Sequence, residues 1–285
     1  MVACSGPDAD GCGRTEIGVA EQQRAVRKPP DSLTAYDQVL RAMDAINRAK
    51  IGDGIAYLDQ AINLSPDYAK ALALRAWCGT LDIGWNSSNV INEMISSNID
   101  LARRALDAGS ADIEVAAYAG YTLGWCGEEV DRALNILRSA TDRCPSFAWA
   151  WASLGMLEGL QGDPSAGIEP ADRAIQLSPR DPMAFRAYIA KACALKFSER
   201  FDDFIPTARA ALDVHPGLPL IRIQLVEALF ATGDIDGMTR VRRELLARTP
   251  EITISRYLAA CQHYRNFRIH ETETVERLRA ADIPE

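Results

Sequence analysis

AIQLSPRDPMA at 174–184 and AINLSPDYAKA at 61–71 are two versions of one phrase, and looser versions stand at 140–150 (ATDRCPSFAWA), 210–220 (AALDVHPGLPL) and 245–255 (LLARTPEITIS). In each, an apolar periodic stretch runs into a proline. Proline lacks the N–H that would continue a helix and restricts the residue before it, so each phrase reads as the end of one helix and the turn into the next. The prolines are Pro66, Pro145, Pro179, Pro216 and Pro250, with spacings of 79, 34, 37 and 34 residues. The long gap holds two units plus about eleven residues. ARRALDAGSADIE at 102–114 supplies its missing joint, with Ser110 where proline would stand, and an insertion from Gly84 to Asn92 lengthens the second unit.

Small residues recur at fixed offsets from these joints. Gly155, Gly167 and Ala174 precede Pro179 as Ala42, Gly54 and Ala61 precede Pro66, and Trp151 and Leu154 fill the gaps between them. Residues of this size are needed where two helices touch. A period of 34 with such triplets resembles the tetratricopeptide repeat (TPR) family over roughly residues 35 to 250. The resemblance implies an all-α fold: a right-handed superhelical solenoid of about six TPR-like helix pairs with a C-terminal capping helix near 271–281. Units are expected at about 34–66, 67–110, 111–145, 146–179, 180–216 and 217–250, with the cap at 251–285. Residues 1–30 form a flexible segment with a possible short helix over Ile17 to Arg27. Phe204 and Met238 replace the small residue of the second helix in units five and six, and Val226 that of the first helix in unit six, so looser packing is expected there. Gly52-Asp53-Gly54, Gly162-Asp163-Pro164 and Gly233-Asp234-Ile235-Asp236 read as turns within units, with glycine ending one helix and Asp capping the next.

Composition agrees with a folded chain. Of 285 residues, 48% are hydrophobic and 25% charged, a balance that can bury a core. The net charge of -8 offers no general attraction to nucleic acid or anionic lipid. Local basic stretches at Arg24, Arg27 and Lys28 and at Arg240, Arg242 and Arg243 read as solvated helix faces. Seven cysteines without a CxxC pair indicate neither a disulfide framework nor a zinc knuckle, and point to a cytoplasmic location. The opening MVACSGPDADGCG lacks the charged leader and apolar run of an export signal. No stretch approaches the ~18 apolar residues of a membrane span.

Three longer phrases suggest a narrower likeness: RKPPDSLTAYDQVLRAMDAINR (27–48), AINLSPDYAKALALRAW (61–77) and YRNFRIHETETVERLRAADIPE (264–285). They resemble the C-terminal repeat region of bacterial class III adenylate and guanylate cyclases and of related winged-helix transcriptional regulators. The resemblance implies a stand-alone or truncated relative of those signalling proteins. Scaffold or sensing behaviour carries over, whereas cyclase activity does not, because the residues before Ile17 hold no catalytic domain.

Chemistry is sparse. His215 sits in a repeat joint, and Cys261, His263 and His270 match no zinc pattern, so no metal and no cofactor is expected. Phosphate-cradling glycine loops and the GxSxG elbow of hydrolases are missing. Gly52-Asp53-Gly54 lacks the alternating acidic ligands of a calcium loop. The expectation is a non-catalytic chain that binds a protein or peptide, with no nucleic acid or membrane partner and an oligomeric state the residues leave open.

In a solenoid of helix pairs the first helices line the concave wall. The offset from proline places there Tyr36 and Asn47, Lys70 and Trp77, Tyr121 and Trp125, Trp149 and Met156, and Glu227 and Phe230. This set is aromatic with few cations, which suits an apolar segment or helix better than a peptide carboxylate.

Overall fold

The computed structural model describes residues 34–48, 50–85, 91–178 and 184–285. The expected helix over Ile17 to Arg27, Pro179 and the centre of the 84–92 insertion lie outside them. All regular structure among the described residues is helical. The helices are α1 (Ala35–Asn47), α2 (Ile51–Leu64), α3 (Ala69–Trp85), α4 (Ile91–Gly109), α5 (Ile113–Trp125), α6 (Val130–Arg143), α7 (Ala148–Gln161), α8 (Ile168–Leu177), α9 (Phe185–Phe197), α10 (Phe201–Val214), α11 (Pro219–Ala231), α12 (Ile235–Arg248), α13 (Ile254–Cys261) and α14 (Arg265–Ala280). A short 3-10 turn, Pro164–Gly167, leads into α8. Odd-numbered helices are the first members of pairs and even-numbered ones the second.

The joints between pairs repeat in atomic detail. The residue before each joint proline donates the last i to i−4 bond of its helix: Ser65 to Ala61, Cys144 to Ala140, Ser178 to Ala174, His215 to Ala211 and Thr249 to Leu245, at 2.8–3.2 Å. Proline then offers no donor, and the helix stops. At the variant joint Ser110 itself donates to the Leu106 carbonyl, a bond that proline could not make.

Turns within pairs vary more. Gly233 has φ +80 and Asp234 caps α12 by accepting from the Gly237 N–H at 2.9 Å. Asp163 accepts from the Ser165 N–H at 2.9 Å and starts the 3-10 turn. Gly52-Asp53-Gly54 departs from expectation, because it lies inside the first turn of α2, whose N-cap is Lys50. Asp53 still suits a helix start through the macrodipole, and Gly54 is small because α1 is close: a Cβ there would stand 2.8 Å from Ile46 Cγ1.

The chain divides into two compact units, one reaching Ala150 and one from Trp151 onward. The boundary falls inside α7. In the first unit each helix packs on its pair partner, and α3 and α4 pack on α5. Leu72, Ala76, Ala102, Ala105, Ala119 and Leu123 form the core there. In the second unit, α7 and the turn before α8 nearly touch: a Cβ on Gly155 would lie 2.7 Å from the Gly167 carbonyl oxygen. Trp151 packs beside Ala152, Ala174 and Ala187. Phe204, Met238 and Val226, where looser packing was expected, are all buried, Phe204 completely.

The single expected cap is a pair, α13 and α14, and α14 begins before residue 271. No helix among the described residues is long and apolar enough to cross a membrane.

Contact by small residues makes a sharp prediction. Gly155→Ala should cost about 1–3 kcal/mol in urea unfolding, because the added methyl meets backbone that cannot give way. Gly52→Ala, with nothing within 4 Å of the added atom, should leave stability unchanged or raise it by about 0.5–1 kcal/mol.

Candidate partner-binding faces

All ten expected contact residues lie on first helices, and the structure gives them different surroundings. Tyr36 is exposed at 47% on α1, and Asn47 at the end of that helix is half-buried. Lys70 on α3 pairs with Glu114 on α5 at 2.7 Å. Burial alone would lower the Lys70 ammonium pKa, but Glu114, together with Asp112 and Tyr68, outweighs it and holds the group above the ordinary lysine value. Trp77, Tyr121 and Trp125 are buried.

The first unit gathers several of these rings. Trp149 lies edge-on to Trp77 and to Tyr121, with centroids 5.6 Å apart in both cases. Tyr118, which the sequence reading passed over, completes the cluster at 4.1 Å from Trp149 and 5.1 Å from Trp77. It sits one turn before Thr122 on the same helix, and its spacing from Tyr121 was the available signal. Tyr118 and Trp149 are half-buried, and Trp77 and Tyr121 are buried. Successive first helices place the cluster: α3 gives Trp77, α5 both tyrosines and the first turn of α7 Trp149. Tilted and edge-to-face pairs of this kind add about 0.5–1.5 kcal/mol each beyond area burial.

The second unit presents a different first-helix face. Met156 is buried on α7, Phe230 half-buried on α11, and Glu227 has 0% exposure. The Glu227 carboxylate meets Lys196 Nζ of α9 at 3.1 Å and accepts from the Thr274 hydroxyl of α14 at 2.9 Å. Arg277 of α14 adds a third partner at 3.5 Å. Glu227 was expected to meet a partner; here α14 covers it. Lys196, Thr274 and Arg277 escaped the sequence reading, although α11 buries nine consecutive residues from Ile221 to Leu229. PLIRIQLVEALFA spreads its apolar residues round the whole helix and gathers no polar face, the pattern of a helix covered on every side.

At the other end of α14, the Gln161 side chain donates to the His263 carbonyl at 3.0 Å and accepts from the Arg265 N–H at 2.9 Å. The His263 imidazole packs on the Tyr264 ring at 4.0 Å. Burial, with Arg268 adding to it, lowers its pKa from 6.5 to about 4. Cys78, Cys126, Cys193 and Cys261 are free and buried. Burial pushes the Cys193 and Cys126 thiols up to about 12, and Cys261 higher still, so all three stay protonated at neutral pH and are poor nucleophiles. Metal-ligand spacing occurs not at Cys261 and His263 but at Glu199, His270 and Glu273, whose ligand atoms lie within 4.8 Å of one another; Arg277 shares both carboxylates.

No family model and no curated protein matches the chain, and the narrower likeness to cyclase and regulator repeats therefore rests on its phrases alone. Solved structures do match. The chain is similar to the crystal structure of the APC/C hetero-tetramer Cut9-Hcn1, with 12% identity and a TM-score of 0.62 over 93% of this chain and 46% of that one. It is also similar to a thermophilic TPR protein from Thermus thermophilus, with 14% identity and a TM-score of 0.50 over 73% of this chain and 98% of that one. It spans about half the length of the first of these. At such identities the likeness is one of fold, and the fold is the stacked helix pair of TPR proteins.

Two predictions arise from the second unit. Glu227→Leu should cost about 3–5 kcal/mol, since it strands the buried Lys196 ammonium; Lys196→Met should cost less, because Arg277 still faces the carboxylate. The double variant should recover most of the loss in thermal or urea unfolding. His263 sets an acid limit. The folded chain keeps it neutral down to about pH 4, whereas the unfolded chain takes up a proton near 6.5, so its contribution is complete above 6.5 and declines as pH falls towards 4. The drop in urea midpoint between pH 7 and pH 4.5 should be smaller in His263→Gln than in the parent chain.

Proposed function

We propose that this chain is a non-catalytic protein-interaction scaffold, which holds a protein or peptide segment against the first-helix face of the unit that ends at Ala150. The observation that carries this reading is the four-ring cluster of Trp77, Tyr118, Tyr121 and Trp149, with two members half-buried. Aromatic anchors that keep part of their surface accessible supply large contact area at small entropic cost, and such residues dominate the energetics of binding surfaces. The half-buried Lys70–Glu114 pair links the same two helices, α3 and α5, and favours a segment that is apolar with polar flanks.

Support of a coarser kind comes from the fold, since arrays of helix pairs present long continuous faces well suited to extended ligands. The Cut9-Hcn1 structure, similar in fold, is a hetero-tetrameric assembly. Buried protonated thiols and a histidine held neutral make poor candidates for nucleophile or general acid, which favours binding over catalysis.

The test is affinity capture with Tyr118→Ala and Trp149→Ala, which remove the two half-buried rings of the cluster and leave the buried Trp77 in place. Each should lower recovery of the bound protein at least tenfold while the far-UV circular dichroism stays that of the parent. Undiminished capture by both variants would remove the aromatic face as the binding surface.

A further inference from the structure

Three first helices of the second unit, α7, α9 and α11, share a face, and α14 lies along it. The contacts come from one stripe of α14: Asn266, His270, Thr274 and Arg277, spaced by four, four and three residues so that they stand on one side of the helix. They meet the three helices in order. The Asn266 carboxamide donates to the carbonyls of Gly159 at 3.0 Å and Gly162 at 3.1 Å, at the C-terminal end of α7. The His270 ring stacks on Phe197 at the end of α9. Thr274 and Arg277 reach the buried carboxylate of Glu227 on α11.

The two sides are complementary in kind. The face offers acceptors at both ends, helix-terminal carbonyls on α7 and a carboxylate on α11, while α14 brings donors to each. Directional bonds of this sort fix register more than they add affinity, and a bond to a charged acceptor rejects a helix that lacks the donor. Apolar contact is modest beside them, with Phe267 and Leu278 as the buried apolar side chains of α14. The opposite side of α14 is solvent-exposed, including Arg268, Thr272, Glu276 and Ile269, the last at 65%. One stripe therefore holds the helix.

We infer that the α7–α9–α11 face is a helix-recognition site, that α14 fills it as a built-in ligand, and that its external partner is an amphipathic helix repeating the α14 donors: a carboxamide, a hydroxyl eight residues on and a guanidinium three beyond that. Such a helix gains the site by displacing α14. The site is separate from the aromatic face of the first unit, and the two readings stand or fall by different measurements.

A fluorescent peptide spanning residues 262–285 tests it on the full chain and on a Thr274→Val, Arg277→Ala double variant, in which the resident helix is weakened while Glu227 and Lys196 remain. The variant should bind the peptide at least ten times more tightly than the parent chain. A peptide with Asn266, Thr274 and Arg277 replaced by alanine should bind neither. Absence of binding to the variant, or equal binding of both peptides, overturns the inference. Dimers of the variant that the peptide dissolves would assign the site to a second copy, and overturn the choice of a foreign helix. Hydrogen exchange on the parent chain needs no folded variant: α14 amides should exchange ahead of those in α9 and α11, and exchange of all three together would make α14 part of an indivisible core.

Discussion

Everything in this chain depends on helices shielding one another. The described helices run from 8 to 19 residues, lengths at which an isolated helix in water is marginal, so their stability has to come from apolar faces that only neighbours can cover. Close approach is the condition for that cover. Where α7 meets the turn before α8, Gly155 and Gly167 bring backbone against backbone, and Gly159 does the same against α9, where an added Cβ would lie 2.9 Å from the Ala194 nitrogen. Side chains of ordinary size at these points would hold the helices apart and expose the core they enclose.

The same constraint explains why two first-helix faces of one architecture differ so much. In the unit ending at Ala150 the face is finished with aromatic rings that cover each other. In the unit from Trp151 onward it is finished with polar groups, and these need partners. A carboxylate as deeply buried as Glu227 is tolerable only with Lys196, Thr274 and Arg277 around it. The second solution is completed by a helix of the chain itself.

How much of this can be read from the residues follows from the range of the interactions. The joints were legible because proline acts on its own neighbours, and the small-residue triplets because contact within a pair repeats at a fixed offset. Gly52-Asp53-Gly54 misled because glycine and aspartate serve a turn and a first helical turn equally well, and only the position of Ile46 distinguishes them. The recurrence of aromatic residues on first helices was legible, and the structure brings Trp77, Tyr121 and Trp149 together. Its state was not legible, since nothing near Glu227 in sequence announces that Thr274, forty-seven residues later, will cover it.

Gln161 is joined to His263 across 102 residues and Asn266 to Glu158 across 108. Stacked repeats ordinarily grow by neighbour-to-neighbour additions, with little chain entropy at stake in each step. Here the second unit also contains one ring closure that spans most of its length, and closure of so long a loop delays the final docking step relative to the pairs that precede it. During synthesis, the carbonyls that end α7 must then be satisfied by water until Asn266 has left the ribosome.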